Sequence, residues 1–150
     1  MRRLLKDVTG TRVMSRASAQ KMGKVERVLL DVPPRRVVAL QVGRDQLVDW
    51  RDVSGVGTDA VVVESEERVR QATDAREERA MAGDFDWKGK RVLSDHGNEL
   101  GTVTEVELDE ATGAIEAVLT TKGRVAAERL RALGSYCLVV RHEPGSELPG

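Results

Sequence analysis

The sequence predicts an all-β protein in which two copies of one small β-barrel module follow each other, joined by a charged surface helix. Three observations support this: an internal repeat, alternation of apolar and charged residues within each copy, and turn-forming residues between the alternating stretches. The predicted boundaries are 1–64 for the first copy, 65–83 for the helical linker, 84–143 for the second copy and 144–150 for a flexible tail. A chain of 150 residues is long enough for two such domains.

The repeat is clearest near the start of each copy. Residues 10–15 return as residues 89–94, and four of the six positions are identical. Later positions return with single-residue slips, as in the pairs Gly23/Gly101, Val25/Val103, Val28/Val106, Leu30/Leu108 and Asp31/Asp109. Because a repeated supersecondary unit fixes the architecture, both copies are expected to fold in the same way.

The strand after the first turn carries an irregularity in both copies. In the first copy Val28 and Leu30 are two residues apart between charged residues, as are their counterparts in the second, and this period-two spacing is the pattern of a half-buried strand. Val25 and Val103 break this alternation at the same place. The shared break predicts a β-bulge that bends the strand, as a small barrel requires.

Turn chemistry separates the strands. Residues 31–34 contain Asp and two Pro, and residues 109–113 contain Asp and Gly, which are residues typical of turns. We interpret Asp31 and Asp109 as turn residues. Paired carboxylates for acid and base catalysis are the alternative, but such catalysis needs two convergent groups and each copy offers one.

Residues 65–82 have the composition of a helix. Ser65 is a candidate N-cap, acidic residues follow it, and Gly83 stands just past the expected end. The apolar positions form only a thin stripe, made of Val69, Ala72, Ala80 and Met81. This stripe predicts a helix that lies on the surface or bridges the two barrels.

Four stretches resemble the PRC-barrel domain family. They are GKVERVLLD and VDWRDVSGVGTDAVVVE in the first copy, and GTVTEVELDEATGAIEAVL and GRVAAERLRALGSYCLVV in the second. The resemblance covers about residues 5–64 and 84–142. It implies a small barrel without a catalytic motif that binds other macromolecules, as in the cytoplasmic domain of the photosynthetic reaction-centre H subunit and the C-terminal domain of the ribosome-maturation factor RimM.

Composition indicates a cytoplasmic protein without a membrane span. No apolar run approaches the roughly 18 residues that would cross a bilayer, and the opening residues are charged too soon for a secretory signal. A single cysteine, Cys137, excludes an internal disulfide and a multi-cysteine zinc site. We expect Cys137 to be a small buried hydrophobe.

No catalytic, cofactor-binding or metal-binding residue is predicted. Residues 94–99 include Asp95, His96 and Glu99, but Gly97 followed by Asn98 favours a hairpin turn over a metal loop. Cys137 and His142 would point to opposite faces of one strand, and we expect His142 to be exposed. Residues 55–57 have too few glycines for a nucleotide-binding loop and indicate a turn.

The leading functional hypothesis is a non-enzymatic adapter or scaffold that binds a partner protein. The alternative is an RNA-associated or ribosome-associated factor that uses the basic first barrel, because residues 1–58 carry 12 Lys or Arg and only 6 Asp or Glu. With only 3% aromatic residues, any RNA contact would be mainly to phosphates. Exposed strand edges also make a homodimer possible.

Overall fold

The computed structural model describes residues 2–144 and is mostly β. The first eight strands are β1 (Arg2–Leu4), β2 (Arg12–Ser15), β3 (Lys21–Lys24), β4 (Arg27–Asp31), β5 (Arg36–Gly43), β6 (Gln46–Asp49), β7 (Val53–Val56) and β8 (Ala60–Val63). The remaining strands are β9 (Arg91–Ser94), β10 (Glu99–Asp109), β11 (Ile115–Thr120), β12 (Gly123–Ala126), β13 (Leu130–Leu133) and β14 (Cys137–Val140). The helices are α1 (Leu5–Val8) and α2 (Ala75–Met81), and short 3-10 turns occupy Trp50–Asp52, Glu66–Arg68 and Ala127–Arg129. The predicted tail, apart from Pro144, lies outside the described residues.

The two halves share one pattern of strand pairing. In the first half β2 pairs antiparallel with β3 and parallel with β8, β8 pairs with β7, and β4, β5 and β6 form a meander. In the second half β9 pairs antiparallel with β10 and parallel with β14, β14 pairs with β13, and β10, β11 and β12 form the meander. The all-β prediction is confirmed, and the equivalence of the halves extends to every one of these pairings.

The predicted bulge is confirmed in the second half. In the first half the irregularity is a full break between β3 and β4. The pairing of β10 with β11 shifts register between Val103 and Glu105. In the first half the regular strand ends altogether, because Val25 N–H donates to Thr11 O at 2.8 Å while Glu26 N–H donates to Gln41 O at 2.8 Å. The chain therefore passes from one sheet to the other at this point, and the irregularity is where the sheet turns its corner.

The strands do not close into complete barrels. Within residues 2–144 no pairing joins β6 to β7 or β12 to β13, because a 3-10 turn interrupts each of these connections. The strands instead surround an apolar core that is continuous across both halves and includes Val13, Leu40, Val92 and Leu138, all fully buried. Burial of this shared core, and not closure of the hydrogen bonds, holds the sheets together.

The segment at the start of each half packs against the other half. Strand β1, before the first half, pairs with β10 of the second, where Arg2 lies opposite Asp109. Before the second half, Phe85 and Trp87 are buried in the shared core, and Trp87 Nε1 donates to Leu30 O of the first half at 3.4 Å. The two halves are therefore joined by exchanged segments as well as by the core.

A backbone bridge joins equivalent residues of the two halves. Val37 N–H donates to Gly113 O at 2.8 Å, and Ile115 N–H donates to Arg35 O at 2.9 Å. Ile115 is the counterpart of Val37, and Gly113 of Arg35, each 78 residues later. Such reciprocal contact is the mark of a two-fold relation, here between two halves of one chain.

The linker helix is shorter than predicted. Helix α2 begins after Asp74, whose side chain accepts the N–H of Glu77 at 2.8 Å, so Asp74 is the N-cap in place of the predicted Ser65. Upstream, Arg70 exchanges backbone hydrogen bonds with Leu47 on the edge of β6. This extended pairing competes with helix formation, and the helix starts only after it. The predicted placement is confirmed, since α2 lies on the surface and Arg76 bridges the halves through Asp31 and Leu133 O.

Candidate interaction surfaces

The outward side of β4, β5 and β6 is a covered face. It consists of Leu29, Ala39, Leu47 and Asp49, of which the first three are buried. The linker supplies the cover, with Ala72, Ala80 and Met81 packed against the three apolar residues. The thin apolar stripe seen in the sequence therefore has a structural role, because it shields a small second core from water.

Arg70 holds the linker over this face. Its N–H donates to Leu47 O at 2.9 Å, and its carbonyl accepts from Leu47 N at 2.8 Å. Its guanidinium lies 2.6 Å from the Glu77 carboxylate and 2.7 Å from Asp49. Hydrogen bonds donated by Arg70 lower the pKa of Glu77 to about 2, and the same bonds, accepted by Glu77 and Asp49, raise the pKa of Arg70. Backbone pairing and charge thus fix the linker along the edge of β6.

The same side of the second half is an open face. It consists of Glu107, Ala117, Arg124 and Ala126, which are the counterparts of Leu29, Ala39, Leu47 and Asp49. Glu107 and Ala117 are as buried as their counterparts, and the face is open along the edge strand β12. Over residues 2–144, no segment pairs with the outer edge of β12 in the way that Arg70 pairs with β6. The side chain of Arg124 is 49% exposed, whereas Leu47 is fully buried.

Glu107 gives the open face a buried charge. Its side chain is 7% exposed and lies between Arg124 Nε at 3.3 Å and Arg2 Nε at 3.1 Å. The contact with Arg2 is an ion pair that lacks hydrogen-bond geometry. Glu107 Oε1, which is buried, therefore accepts no hydrogen bond from the described residues. A buried carboxylate oxygen in this condition is destabilising. The face is therefore ionic where the covered face is apolar.

Three cations form a basic face on the outer side of β2 and β3. Arg12 lies opposite Lys24, and residues that are opposite each other share a side of the sheet. Met14 is two residues after Arg12 and so lies on the same side, and Lys21 is opposite Met14. All three cations are therefore on one side. The intervening Val13 is fully buried on the other side. Arg12, Lys21 and Lys24 are exposed, and none of them has an ion-pair partner within the described part of the chain.

The second half neutralises the equivalent positions. Their counterparts are Arg91, Glu99 and Thr102, and Arg91 Nε lies 3.2 Å from the Glu99 carboxylate. Tyr136, which is 70% exposed, adds its hydroxyl as an acceptor for Arg91 at 2.9 Å. The same sheet surface therefore carries three unpaired cations in one half and an ion pair in the other.

The predicted turn at residues 94–99 is confirmed. Gly97 has a positive φ of 86°, and Ser94 Oγ accepts the N–H groups of His96 at 3.2 Å and Asn98 at 3.3 Å. No three His, Cys, Asp or Glu side chains among residues 2–144 are grouped so as to hold a metal ion. The interpretation of residues 55–57 as a turn is wrong for Gly55 and Val56, which belong to β7, and the chain bends only after Gly57, whose N–H donates to Ala60 O at 2.9 Å.

The turn residues Asp31 and Asp109 also hold their predicted roles. Asp31 Oδ1 accepts Val32 N–H, and Asp109 Oδ1 accepts Ala111 N–H, both at 2.8 Å. Backbone hydrogen bonds from Ala111 and then Thr112 lower the pKa of Asp109. Asp109 serves its own loop, while Asp31 also accepts hydrogen bonds from Arg76 of α2.

Two of the predicted exposures are wrong. Cys137 is half-buried, because on β14 it lies on the outward side with Val139 while Leu138 and Val140 enter the core. His142 is half-buried instead of exposed, since its ring stacks on His96 at 3.9 Å between centroids. Both residues lie at or just beyond an end of β14, where burial depends on which side of the sheet the side chain takes and on what lies there.

Sequence reasoning missed the role of Lys90. Only 9% of this residue is exposed, and its ammonium donates to Asp84 O at 3.1 Å and to Gly134 O and Ser135 O at 3.0 Å each. Burial lowers the pKa of Lys90. The three carbonyl partners make Lys90 a clamp between the segment before β9 and the β13–β14 turn. Its counterpart is Thr11, so the repeat gave no signal for it.

Comparison with known proteins places the whole architecture in one family. The model of the PRC-barrel domain matches residues 2–69 and 81–141, and the two segments are consistent with two tandem copies. No curated protein matches the chain. Across residues 2–144, no helix has the length and apolar character needed to cross a membrane.

Proposed function

The chain belongs to the PRC-barrel domain family, and we propose that it is a non-enzymatic adapter whose open face binds an extended segment of a partner protein. One observation carries the proposal: two equivalent sheet faces differ in whether a segment covers them. The first half binds its own linker through Arg70 and Leu47. The second half offers the same edge strand without a cover among the described residues.

The edge of β12 has the backbone groups that such a partner needs. Leu47 N–H and C=O both face away from β5 and bond Arg70, and Arg124 occupies the same register opposite β11. An extended peptide can therefore add to β12 as the segment around Arg70 adds to β6, with main-chain hydrogen bonds supplying affinity. The strand is only four residues long and carries Arg124, which limits indiscriminate pairing and favours a specific partner.

Two substitutions at one position test this. Arg124→Pro removes the outward N–H, which an edge strand tolerates, while Arg124→Ala removes the charge and keeps the N–H. The tagged full chain and both variants are purified from the native cells, with and without nuclease, and bound proteins are identified by mass spectrometry. We expect a nuclease-resistant partner that the Ala variant keeps and the Pro variant loses.

Two outcomes would contradict the proposal. If the bound proteins disappear on nuclease treatment, the RNA-associated or ribosome-associated alternative takes its place. If Arg124→Pro keeps a nuclease-resistant partner, the chain is an adapter that uses a different surface. Circular dichroism of both variants shows whether the fold is intact, so that loss of the partner is not mistaken for unfolding.

A further inference from the structure

We infer that the basic face binds an acidic segment of a protein, and that this segment also carries an apolar side chain. The inference goes beyond the proposed function, because the basic face lies on the first half and the open face on the second. It begins from the arrangement of Arg12, Lys21 and Lys24, which lie on one side of two adjacent strands without ion-pair partners among the described residues.

A ligand of opposite charge would relieve repulsion between the cations of this face. Arg12 and Lys24 are direct cross-strand neighbours, and like charges in this position repel each other. In the second half, the position of Lys21 is held by Glu99, which pairs with Arg91. A ligand carboxylate placed over the first half would restore the pairing that the second half makes internally, and the Arg12 guanidinium can hold it with two hydrogen bonds.

The neighbours of these cations favour a peptide over a nucleic acid. Ala60 lies beside Arg12 and Val62 beside Met14 in the parallel pairing of β2 with β8, so three half-buried apolar side chains adjoin the basic face. These can receive an apolar side chain of a peptide. Proteins that bind single-stranded nucleic acid commonly stack its bases on exposed aromatic residues. Of residues 2–144, the exposed large hydrophobic residue is Tyr136, on the second half beside Arg91.

Fluorescence anisotropy with three labelled probes tests the inference on the full chain. The probes are a synthetic peptide in which Glu alternates with Leu, a peptide in which Ser replaces each Leu, and a single-stranded RNA of matched charge. The variant Arg12→Gln/Lys21→Gln/Lys24→Gln removes the basic face. The matched control Lys122→Gln/Arg131→Gln/Arg141→Gln removes three exposed cations of the second half that make no ion pair within the described residues.

We expect the Glu/Leu peptide to bind more tightly than the Glu/Ser peptide and the RNA. The basic-face variant should weaken it about tenfold, which corresponds to three exposed ion pairs, and the control variant should leave it unchanged. Preferential RNA binding that the basic-face variant abolishes would overturn the inference and make this a nucleic-acid surface. Equal effects of the two variants would also overturn it, by showing only general charge attraction. Neither result bears on the Arg124 variants.

Discussion

The covered face and the open face have the same strand pairings, yet the outer edge of the first is an internal contact and that of the second is a surface. Leu47 and Arg124 occupy the same register of the same meander, and they differ from full burial to 49% exposure of the side chain. Inward positions behave differently, since Val13 and its counterpart Val92 are both fully buried. The core thus restricts inward residues in both halves. Outward residues away from the edge are also alike, since Ala39 and Ala117 are both buried, and the difference between the faces lies at the edge strands.

The largest expected effect contrasts Leu47 with Arg124. Leu47→Ala should lower the free energy of unfolding by about 2–5 kcal/mol, because it leaves a cavity beneath the linker. Arg124→Ala should cost less, about 1–3 kcal/mol, because it removes the hydrogen bond to the Glu107 carboxylate but also opens that carboxylate to water. Urea denaturation of both variants measures the difference. Equal losses would show that the open face is covered in solution.

The contact between the halves can be tested with two glycines of similar φ. Gly113 has a φ of 75°, and an added Cβ would lie 2.7 Å from Trp50 Cε2 of the other half. Gly89 has a φ of 83°, with no atom within 4 Å of an added Cβ. Gly113→Ala should cost about 2–4 kcal/mol, from steric overlap and backbone strain, and Gly89→Ala about 1–2 kcal/mol from strain alone. Thermal or urea unfolding measures both, and similar losses would exclude tight packing on Trp50.

A smaller effect concerns the linker and depends on pH. The pKa of Glu77 is lowered from 4.5 to about 2 in the folded protein, so its contribution to stability is complete above pH 4.5 and is lost as the pH falls through about 2. Glu77→Gln should therefore cost about 1–3 kcal/mol near neutral pH, and the cost should shrink between pH 4.5 and 2. Glu78→Gln on the same helix is the control. A pH-independent difference for Glu77→Gln would mean that Arg70 does not hold the linker through this carboxylate.

Sequence patterns predicted the features that depend on local chemistry. The irregularity at Val103 and the turns at Asp31 and Asp109 are present, because each is decided by neighbouring residues. The half-buried strand expected around Val28 is wrong, because Leu29 on its outer side is buried as well, under the linker. The repeat also predicted that both halves would pair their strands alike. Local signals were sufficient where a residue's partners are close to it in the sequence.

The features that were missed depend on contacts between distant segments. The helix start could not be placed at Asp74, since residues 65–74 have helical composition and only the edge of β6 draws Arg70 into extended pairing. The exchange of segments between the halves has no local signal, because β1 pairs with a strand about 100 residues away. The open and basic faces likewise emerge only when equivalent positions of the two halves are compared in three dimensions.

Site-specific photo-crosslinking tests the central claim most directly, that the open face receives a partner while the covered face is already occupied. A photoreactive amino acid replaces Ala126 on β12 in one tagged chain and Gln46 on β6 in another, and crosslinked proteins are identified after nuclease treatment of native cells. We predict a discrete crosslinked partner from position 126 and none from position 46, although Gln46 is the more exposed of the two residues. The same partner captured from both positions, or from position 46 alone, would contradict the claim.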